Sequence, residues 1–288
     1  MERVKTGVEG LDNIIQGGIP KKSITLVSGP PGGGKSIFCF QFLWEGAKNG
    51  EKCLFLSLDK KSEGLIEQAK ELGIDFDSAI GQGLVKFEFL NINKKLVYES
   101  MTNEILSGNY DRIVLDSITP LSEMPMVMRN PEDFDVDTSL ASPNDYPTNA
   151  NLPTRRLHLR YIMNALESSE STSLVTSELP AGSSLLSRDG ISEFLADAVI
   201  KLSVDTTMDR RKLAILKMRN TRHTLKPQDM SIQDGGIKLK SSIPMAQHAK
   251  ISTTKNSTGT IYCTLCPYSF DNYDRTHDWS FWSMENPN

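Results

Sequence analysis

A glycine-rich run that ends in lysine and serine carries the most specific chemistry in this sequence. Residues 29–36 match the pattern Gly-x-x-x-x-Gly-Lys-Ser/Thr in full. In such a run, glycines let successive backbone N–H groups turn toward a phosphate, and a following helix N-terminus adds partial positive charge. The predicted binding residues are Gly29, Pro30, Pro31, Gly32, Gly33, Gly34, Lys35 and Ser36.

This run predicts a site for a nucleoside triphosphate and its metal ion. Lys35 is expected to reach the β and γ phosphates, and the Ser36 hydroxyl is expected to ligate Mg²⁺. Asp116 ends a later apolar run, where a carboxylate is expected to hold the same Mg²⁺ through water or through Ser36. We expect ATP as the nucleotide, because no separate motif for reading guanine is present.

Short apolar runs alternate with helical patterns along the first two thirds of the chain, as is typical of consecutive β-α units. The glycine-rich run lies directly between a predicted strand and a predicted helix. Two later strands and a hairpin around Asp234 and Gly235 follow. Strands are predicted at residues 24–28, 53–58, 85–89, 113–116, 173–177, 198–204 and 212–218, and helices at residues 36–48, 62–72, 95–106 and 154–168. We therefore expect an α/β fold with a mostly parallel central sheet, flanking helices and an antiparallel C-terminal edge.

Composition divides the chain into a core and two segments of different character. Residues 120–153 contain six prolines and no sustained period, which predicts an insertion of low order within a domain spanning residues 1–240. Residues 241–288 are rich in Ser, Thr and Asn before an aromatic cluster, which indicates a short C-terminal extension. No repeat of 20 to 50 residues is visible.

Charge and hydropathy exclude other classes of protein. The 288 residues carry 32 Lys and Arg against 36 Asp and Glu, so the net charge of −4 provides no bulk attraction to nucleic acid or to a membrane. No run approaches the roughly 18 apolar residues of a membrane-spanning helix. We expect a cytoplasmic protein without a membrane partner.

Four motifs in order carry a resemblance to a known family. They are residues 6–12 with 17–20 (TGVEGLD and GGIP), the glycine-rich run, residues 112–117 (RIVLDS) and residues 216–223 (LKMRNTRH). Over about residues 4–240 the chain resembles RecA-type ATPases, and most closely the KaiC-like branch. The resemblance implies a RecA-like P-loop NTPase core that binds and hydrolyses ATP. It also implies assembly into a ring, expected to be a hexamer, with active sites at subunit interfaces.

The resemblance also implies which residues take part in hydrolysis. KaiC-like proteins usually carry two glutamates where this chain has Asp59 and Lys60, so Asp59 is the expected water-orienting residue. Lys217 and Arg219 match the Lys-x-Arg that reaches a neighbouring protomer's γ-phosphate in the family, although the usual glycine after the arginine is Asn220 here. Residues 210–212 are expected to form a solvated basic face.

Three functions remain open at this point. The first is an ATPase that regulates an unidentified protein partner; the second is a switch that binds ATP but barely hydrolyses it, because Lys60 replaces an acid. The third is a DNA-repair accessory, which is the weaker expectation because Arg188 is the only basic residue of the loop 179–192. Glu193 and Phe194 occupy the positions of the clock kinase's phosphate acceptors, so no self-phosphorylation is expected there.

A cysteine pair in the extension needs its own explanation. Cys263 and Cys266 have the spacing that lets two thiolates share one Zn²⁺, and His277 is a third candidate ligand. Three ligands do not complete a tetrahedral site. A zinc site, a redox-active pair and an aromatic tail that docks on a neighbour therefore stay as alternatives.

Overall fold

The computed structural model describes residues 1–92, 97–123 and 151–240, together with residues 254–255 and 261–262. The chain divides into two compact units, Met1–Ser241 and Ser242–Asn288. Within the described part of the chain, no helix is long and apolar enough to cross a membrane.

The first twenty residues form a small entry structure ahead of the main sheet. Strand β1 (Arg3–Val4) pairs antiparallel with β2 (Ile19–Pro20), and the short helix α1 (Leu11–Ile14) lies between them. Gly18 has φ of 135°, and a Cβ there would lie 2.3 Å from the Val4 carbonyl oxygen. This close approach of two backbones requires glycine.

Nine strands form the main sheet, and helices connect most of them. In chain order the elements of the rest of the first unit are β3 (Ile24–Gly29), α2 (Lys35–Lys48), β4 (Cys53–Ser57), α3 (Ser62–Glu71), α4 (Asp77–Gly81), β5 (Val85–Phe89), α5 (Val97–Ser107), β6 (Arg112–Asp116), α6 (Thr119–Glu123), α7 (Asn151–Ser168), β7 (Thr172–Glu178), α8 (Ser192–Leu195), β8 (Ala198–Asp205), β9 (Arg210–Met218), β10 (Gln228–Gln233) and β11 (Gly236–Leu239).

The sheet has the order β11-β10-β9-β8-β3-β7-β6-β4-β5. Strands β8, β3, β7, β6, β4 and β5 run parallel, whereas β9, β10 and β11 are antiparallel to their neighbours. The predicted α/β fold with a mostly parallel sheet and an antiparallel C-terminal edge is confirmed. Because the parallel strands share one direction, their carboxyl ends lie at one edge, where ligands bind in open α/β sheets.

The core lies on both faces of the sheet because successive strand residues point in opposite directions. In β4, Phe55 packs into a cluster with the α2 residues Phe38, Phe40 and Phe42. Its neighbour Leu54 packs into a second cluster that contains residues of α5 and α7. Strands buried on both faces are apolar throughout, which explains why these runs could be read directly from the sequence.

The structure differs from the sequence prediction mainly in short elements. The predicted insertion began at Pro120, but α6 occupies 119–123 and α7 begins at Asn151, so both ends of that stretch are helical. Proline is tolerated in the first helical turn, where no intrahelical N–H donor is needed. Residues 124–150 lie outside the described residues. The five-residue helix α4 also went unpredicted, because one turn is too short to establish a period.

In the second unit, the described residues form one pair of strands. They are β12 (Thr254–Lys255) and β13 (Ile261–Tyr262), which are antiparallel.

Candidate active site

The glycine-rich run connects the carboxyl end of β3 to the first turn of α2, as predicted. Gly32 and Gly34 have φ of 73° and 98°, which side-chain-bearing residues rarely adopt. The 14-residue helix α2 begins at Lys35, so its N-terminal N–H groups and the partial positive charge of its dipole lie at the end of this loop. The loop therefore has the construction of an anion site.

The Lys35 side chain lies within the loop. Its Nζ donates to the carbonyl oxygens of Gly29, at 3.0 Å, and Pro30, at 3.2 Å. Burial lowers the pKa of this ammonium group, while the negative charges of Glu178 and Asp116 oppose the shift. A phosphate oxygen would compensate the buried charge better than two neutral carbonyls do.

Ser36 and Asp116 come together although 80 residues separate them. The Ser36 Oγ donates to the Asp116 Oδ2 at 2.7 Å, and Thr176 Oγ1 donates to the other carboxylate oxygen. A hydroxyl and a carboxylate are hard oxygen donors, which is the set that Mg²⁺ prefers. The donor chemistry of this pair therefore fits the predicted magnesium ion.

A cleft of about 330 Å³ opens beside the loop, and its lining includes Lys35, Ser36, Asp59, Asp116 and Glu178. The Asp59 Oδ2 accepts a hydrogen bond of 3.3 Å from Ser117 Oγ. Burial, and after it the charge of Glu178, raises the pKa of the Asp59 carboxyl. The cleft thus brings Asp59 beside the residues that are predicted to bind phosphate.

Two charged residues of the cleft lie beyond the predicted set. Glu178 is the last residue of β7 and pairs with Gly29, so it stands directly beside the start of the loop. The predicted strand ended at residue 177. The sequence signal that could have identified Glu178 is an acidic residue directly after a predicted strand. Lys60 also lines the cleft, where the resemblance would have placed a second carboxylate.

Lys217 and Arg219 lie together at the other end of the sheet from the glycine-rich loop. The Lys217 Nζ donates to the carbonyl oxygens of Glu193, at 3.0 Å, and Ala196, at 2.5 Å. The Arg219 guanidinium pairs with Asp197 at 3.0 Å and keeps 58% of its side chain exposed. Burial, followed by the positive charge of Arg219, lowers the pKa of Lys217. The two cations therefore lie close together at this end of the sheet.

Comparison of the sequence with known protein families gives a match over most of the chain. The family of KaiC ATPases matches residues 4–131 and 146–242. The chain belongs to the KaiC ATPase family. The match omits residues 132–145, which fall inside the proline-rich stretch.

Proteins of very different length are similar to this chain. A UPF0273 protein of Methanopyrus kandleri is 29% identical, covering 83% of this chain and 92% of its own. The circadian clock oscillator protein KaiC of Picosynechococcus is 27% identical, covering 83% of this chain but 44% of its own. The crystal structure of a KaiC-like protein from Pyrococcus horikoshii has a TM-score of 0.65 at 29% identity, covering 83% of this chain and 99% of that one. This similarity confirms the predicted RecA-like core.

The structure explains why the residue after the Lys-x-Arg motif can differ from the glycine that is usual in the family. Asn220, where KaiC-like sequences usually have glycine, adopts φ of 55°. Glycine takes this left-handed conformation freely, and asparagine is among the few other residues that tolerate it. The replacement therefore preserves the backbone path after Arg219.

One residue of the basic stretch 210–212 contacts the loop, contrary to the expectation of a purely solvated face. The half-buried Arg211 donates from Nε to the carbonyl oxygen of Gly32 at 3.2 Å. Its position follows from pairing with Val204, near the carboxyl end of β8, which runs parallel to β3. Sequence alone does not indicate which of three adjacent cations turns toward the loop.

The loop 179–192 makes contacts within its own chain rather than presenting free cations. Arg188 pairs with Glu123 at 3.0 Å, and Lys201 donates to the carbonyls of Ser183 and Leu185. Arg188 and Lys201 therefore both have partners within their own chain. This arrangement adds no support for DNA binding.

The candidate zinc ligands Cys263, Cys266 and His277 lie outside the described residues. The family match ends at residue 242, so it does not reach them. A zinc site in the extension stays a prediction.

Proposed function

We propose that this protein is a Mg²⁺-dependent ATPase whose active sites form between protomers of a ring. Membership of the KaiC ATPase family supports nucleotide binding, and so does the cleft lined by Lys35, Ser36, Asp59 and Asp116. The same membership supports a regulatory role on a protein partner, since one relative is a circadian clock oscillator protein. Identifying that partner is a separate experiment.

In this proposal, the glycine-rich loop and Lys35 bind the phosphates, and Ser36 with Asp116 hold the metal ion. Bound Mg²⁺ supplies positive charge to the β and γ phosphate oxygens. ATP binding replaces the Lys35 contacts to Gly29 and Pro30 by contacts to phosphate oxygens. Asp59 orients the attacking water, and its raised pKa makes its carboxylate a stronger acceptor of the water's proton.

The observation that carries the proposal is the position of Lys217 and Arg219 on the sheet. Asp197, which holds Arg219, also accepts a hydrogen bond from Ile24 N at the amino end of β3. The phosphate-binding loop follows the carboxyl end of β3, about 16 Å away at 3.3 Å per residue. These cations are therefore far from their own chain's loop, and an exposed Arg219 supports a role in a neighbouring site.

The test is steady-state ATP hydrolysis per protomer at increasing protein concentration. An interfacial site predicts a rate that rises with concentration and levels off as assembly completes. Arg219→Ala should bind ATP normally yet lose about 10³-fold in turnover, the lower range for a cation that acts on transferring phosphate. A rate per protomer that is independent of concentration, with Arg219→Ala fully active, would contradict the interfacial site.

The ATP-dependent switch is the second candidate, and the presence of Lys60 in the cleft favours it. A switch predicts tight ATP binding with turnover near background at every concentration. Replacing both Asp59 and Lys60 by glutamate should then raise turnover. An unchanged rate in that double variant would count against the switch.

A further inference from the structure

Arg3, in the entry structure, makes an unusual number of contacts with distant backbone. Its guanidinium donates to the carbonyl oxygens of Ile15, at 3.0 Å, and Gly18, at 2.9 Å, which fixes it within the β1–β2 pair. The same group donates to Thr221 Oγ1 at 3.0 Å and to the Asn220 carbonyl at 3.1 Å. One half-buried side chain therefore joins the amino-terminal residues to the segment that follows β9.

That segment comes directly after the two proposed trans-acting cations. Thr221 accepts from Arg3 and donates from its own Oγ1 to the carbonyl oxygen of Arg219 at 3.2 Å. Gln16 adds a parallel connection, because its Oε1 accepts from Arg3 and from the backbone N–H of Arg222. A continuous set of hydrogen bonds thus runs from Arg3 through Thr221 to the backbone of Arg219.

The backbone around Arg219 explains why these hydrogen bonds matter for its position. Strand β9 ends at Met218 and β10 begins at Gln228, so Arg219 opens a connection between strands. Its backbone N–H still donates to the Asp197 carbonyl oxygen at 3.1 Å, but Asn220 and Thr221 lie beyond the paired strands. Asn220, the next residue, holds a left-handed rather than an extended backbone conformation, so the strand geometry ends directly after Arg219. A cation that acts on a phosphate gains most when its position is fixed before the reaction.

We propose that Arg3 is a positioning residue that holds Arg219 in place for the active site of the neighbouring protomer. This inference rests on the proposed interfacial site. It extends that proposal by assigning the amino-terminal residues a part in catalysis on another chain. Arg3 itself does not touch the substrate, and its effect passes through Thr221 and Asn220.

The experiment uses two inactive variants of the full chain that complement each other. A Lys35→Ala donor lacks its own phosphate-binding lysine but keeps Lys217 and Arg219. An acceptor with Lys217→Ala and Arg219→Ala keeps its own phosphate-binding loop. Neither should hydrolyse ATP alone, whereas mixed assemblies should recover activity where an acceptor's loop meets a donor's cations.

Arg3→Ala is then placed in the donor or in the acceptor. In the donor it should reduce the recovered rate by at least about tenfold, because a displacement of about 1 Å near the reacting group has effects of that size or larger. In the acceptor it should leave the rate unchanged. ATP affinity of the acceptor is measured in both mixtures, and kcat should fall without a rise in KM. A purely structural role for Arg3 would not produce this asymmetry.

Two further variants keep the inference testable if Arg3→Ala folds poorly. Thr221→Val preserves the side-chain shape but removes both hydrogen bonds of Oγ1, so in the donor it should also lower the recovered rate. Lys21→Ala is the matched control, because it removes only the exposed contact to Glu2 beside the same β1–β2 pair. It should leave recovery intact in either partner.

The results distinguish the positioning role of Arg3 from the interfacial site on which that role rests. Equal losses with Arg3→Ala in donor and acceptor, or no loss in either, would overturn the positioning role while leaving the interfacial site standing. Failure of the parent mixture to recover activity, although the unmodified protein hydrolyses ATP, would overturn the interfacial site and the role of Arg3 with it.

Discussion

Gln41 connects the helix of the phosphate-binding loop to two distant parts of the core. It lies on α2, is 5% exposed, and its Oε1 accepts from the backbone N–H of Ile237 at 2.7 Å. Its Nε2 donates to the carbonyl oxygens of Ile237, at 3.1 Å, and Gly7, at 3.2 Å. Replacing Gln41 by leucine keeps a similar volume but removes all three hydrogen bonds.

The cost can be worked from the groups that lose a partner. An unsatisfied buried polar group costs about 1–3 kcal/mol, and three backbone groups are affected. Gly7 is half-buried, so water compensates its carbonyl in part, and leucine adds a little apolar burial. We therefore expect Gln41→Leu to lower the free energy of unfolding by about 3 kcal/mol, the lower end for three such groups.

Urea unfolding of the nucleotide-free protein measures this change. The matched control is Gln82→Leu, because Gln82 is an exposed glutamine with a side-chain contact to Ser78 at 3.2 Å, and its loss should cost less than about 0.5 kcal/mol. ATP affinity of Gln41→Leu should fall only to the extent that the folded population falls. A loss of stability below about 1 kcal/mol would refute the hydrogen-bonded connection, since that is less than one unsatisfied group costs.

The remaining predictions concern the cleft and the residue after Arg219. Asp59→Asn should remove most of the ATP turnover without weakening ATP binding, and separate measurements of binding and of rate test this. Retained turnover would exclude Asp59 as the water-orienting residue. In the unmodified protein, hydrolysis should fall toward acid with a midpoint above 3.8, because the pKa of Asp59 is raised and only its carboxylate form accepts a proton. Glu178→Gln should move this midpoint to lower pH, because removing a negative charge lowers the pKa of Asp59; an unmoved midpoint would contradict their coupling. Asn220→Gly should keep activity and stability, whereas Asn220→Val should cost about 1–2 kcal/mol of stability in urea unfolding.

The sequence predicts the parts of this molecule that depend on local pattern. Strands buried on both faces are continuous apolar runs, so β3, β4, β6 and β7 could be assigned from composition, and the phosphate-binding loop from its spacing. Because parallel strands end at one edge, the meeting of Ser36 with Asp116 also followed. Short helices such as α4 and α8 carry too few residues to show a period.

The contacts that the sequence does not predict are those between segments far apart in the chain. Arg3 and Thr221 are separated by 218 positions, and nothing local to either residue indicates the other. Asn220 looked like a departure from the family pattern, because residue identity alone does not reveal that its backbone is left-handed. Arg211 and Glu178 needed the register of the sheet before their positions beside the loop became apparent.

The separation of the two halves of the proposed site explains how binding and hydrolysis could be controlled independently. In the proposed site, one protomer supplies the phosphate-binding loop, Ser36 and Asp116 for the metal ion, and Asp59, which together are what ATP binding requires. The cations Lys217 and Arg219 stand at the amino end of β3, where their own nucleotide is out of reach. Under the proposed interfacial site, hydrolysis depends on a second copy, and its rate reports assembly. The regulatory ATPase and the switch therefore share one architecture, and they differ in whether Asp59 beside Lys60 is a sufficient water-orienting group once that second copy is in place.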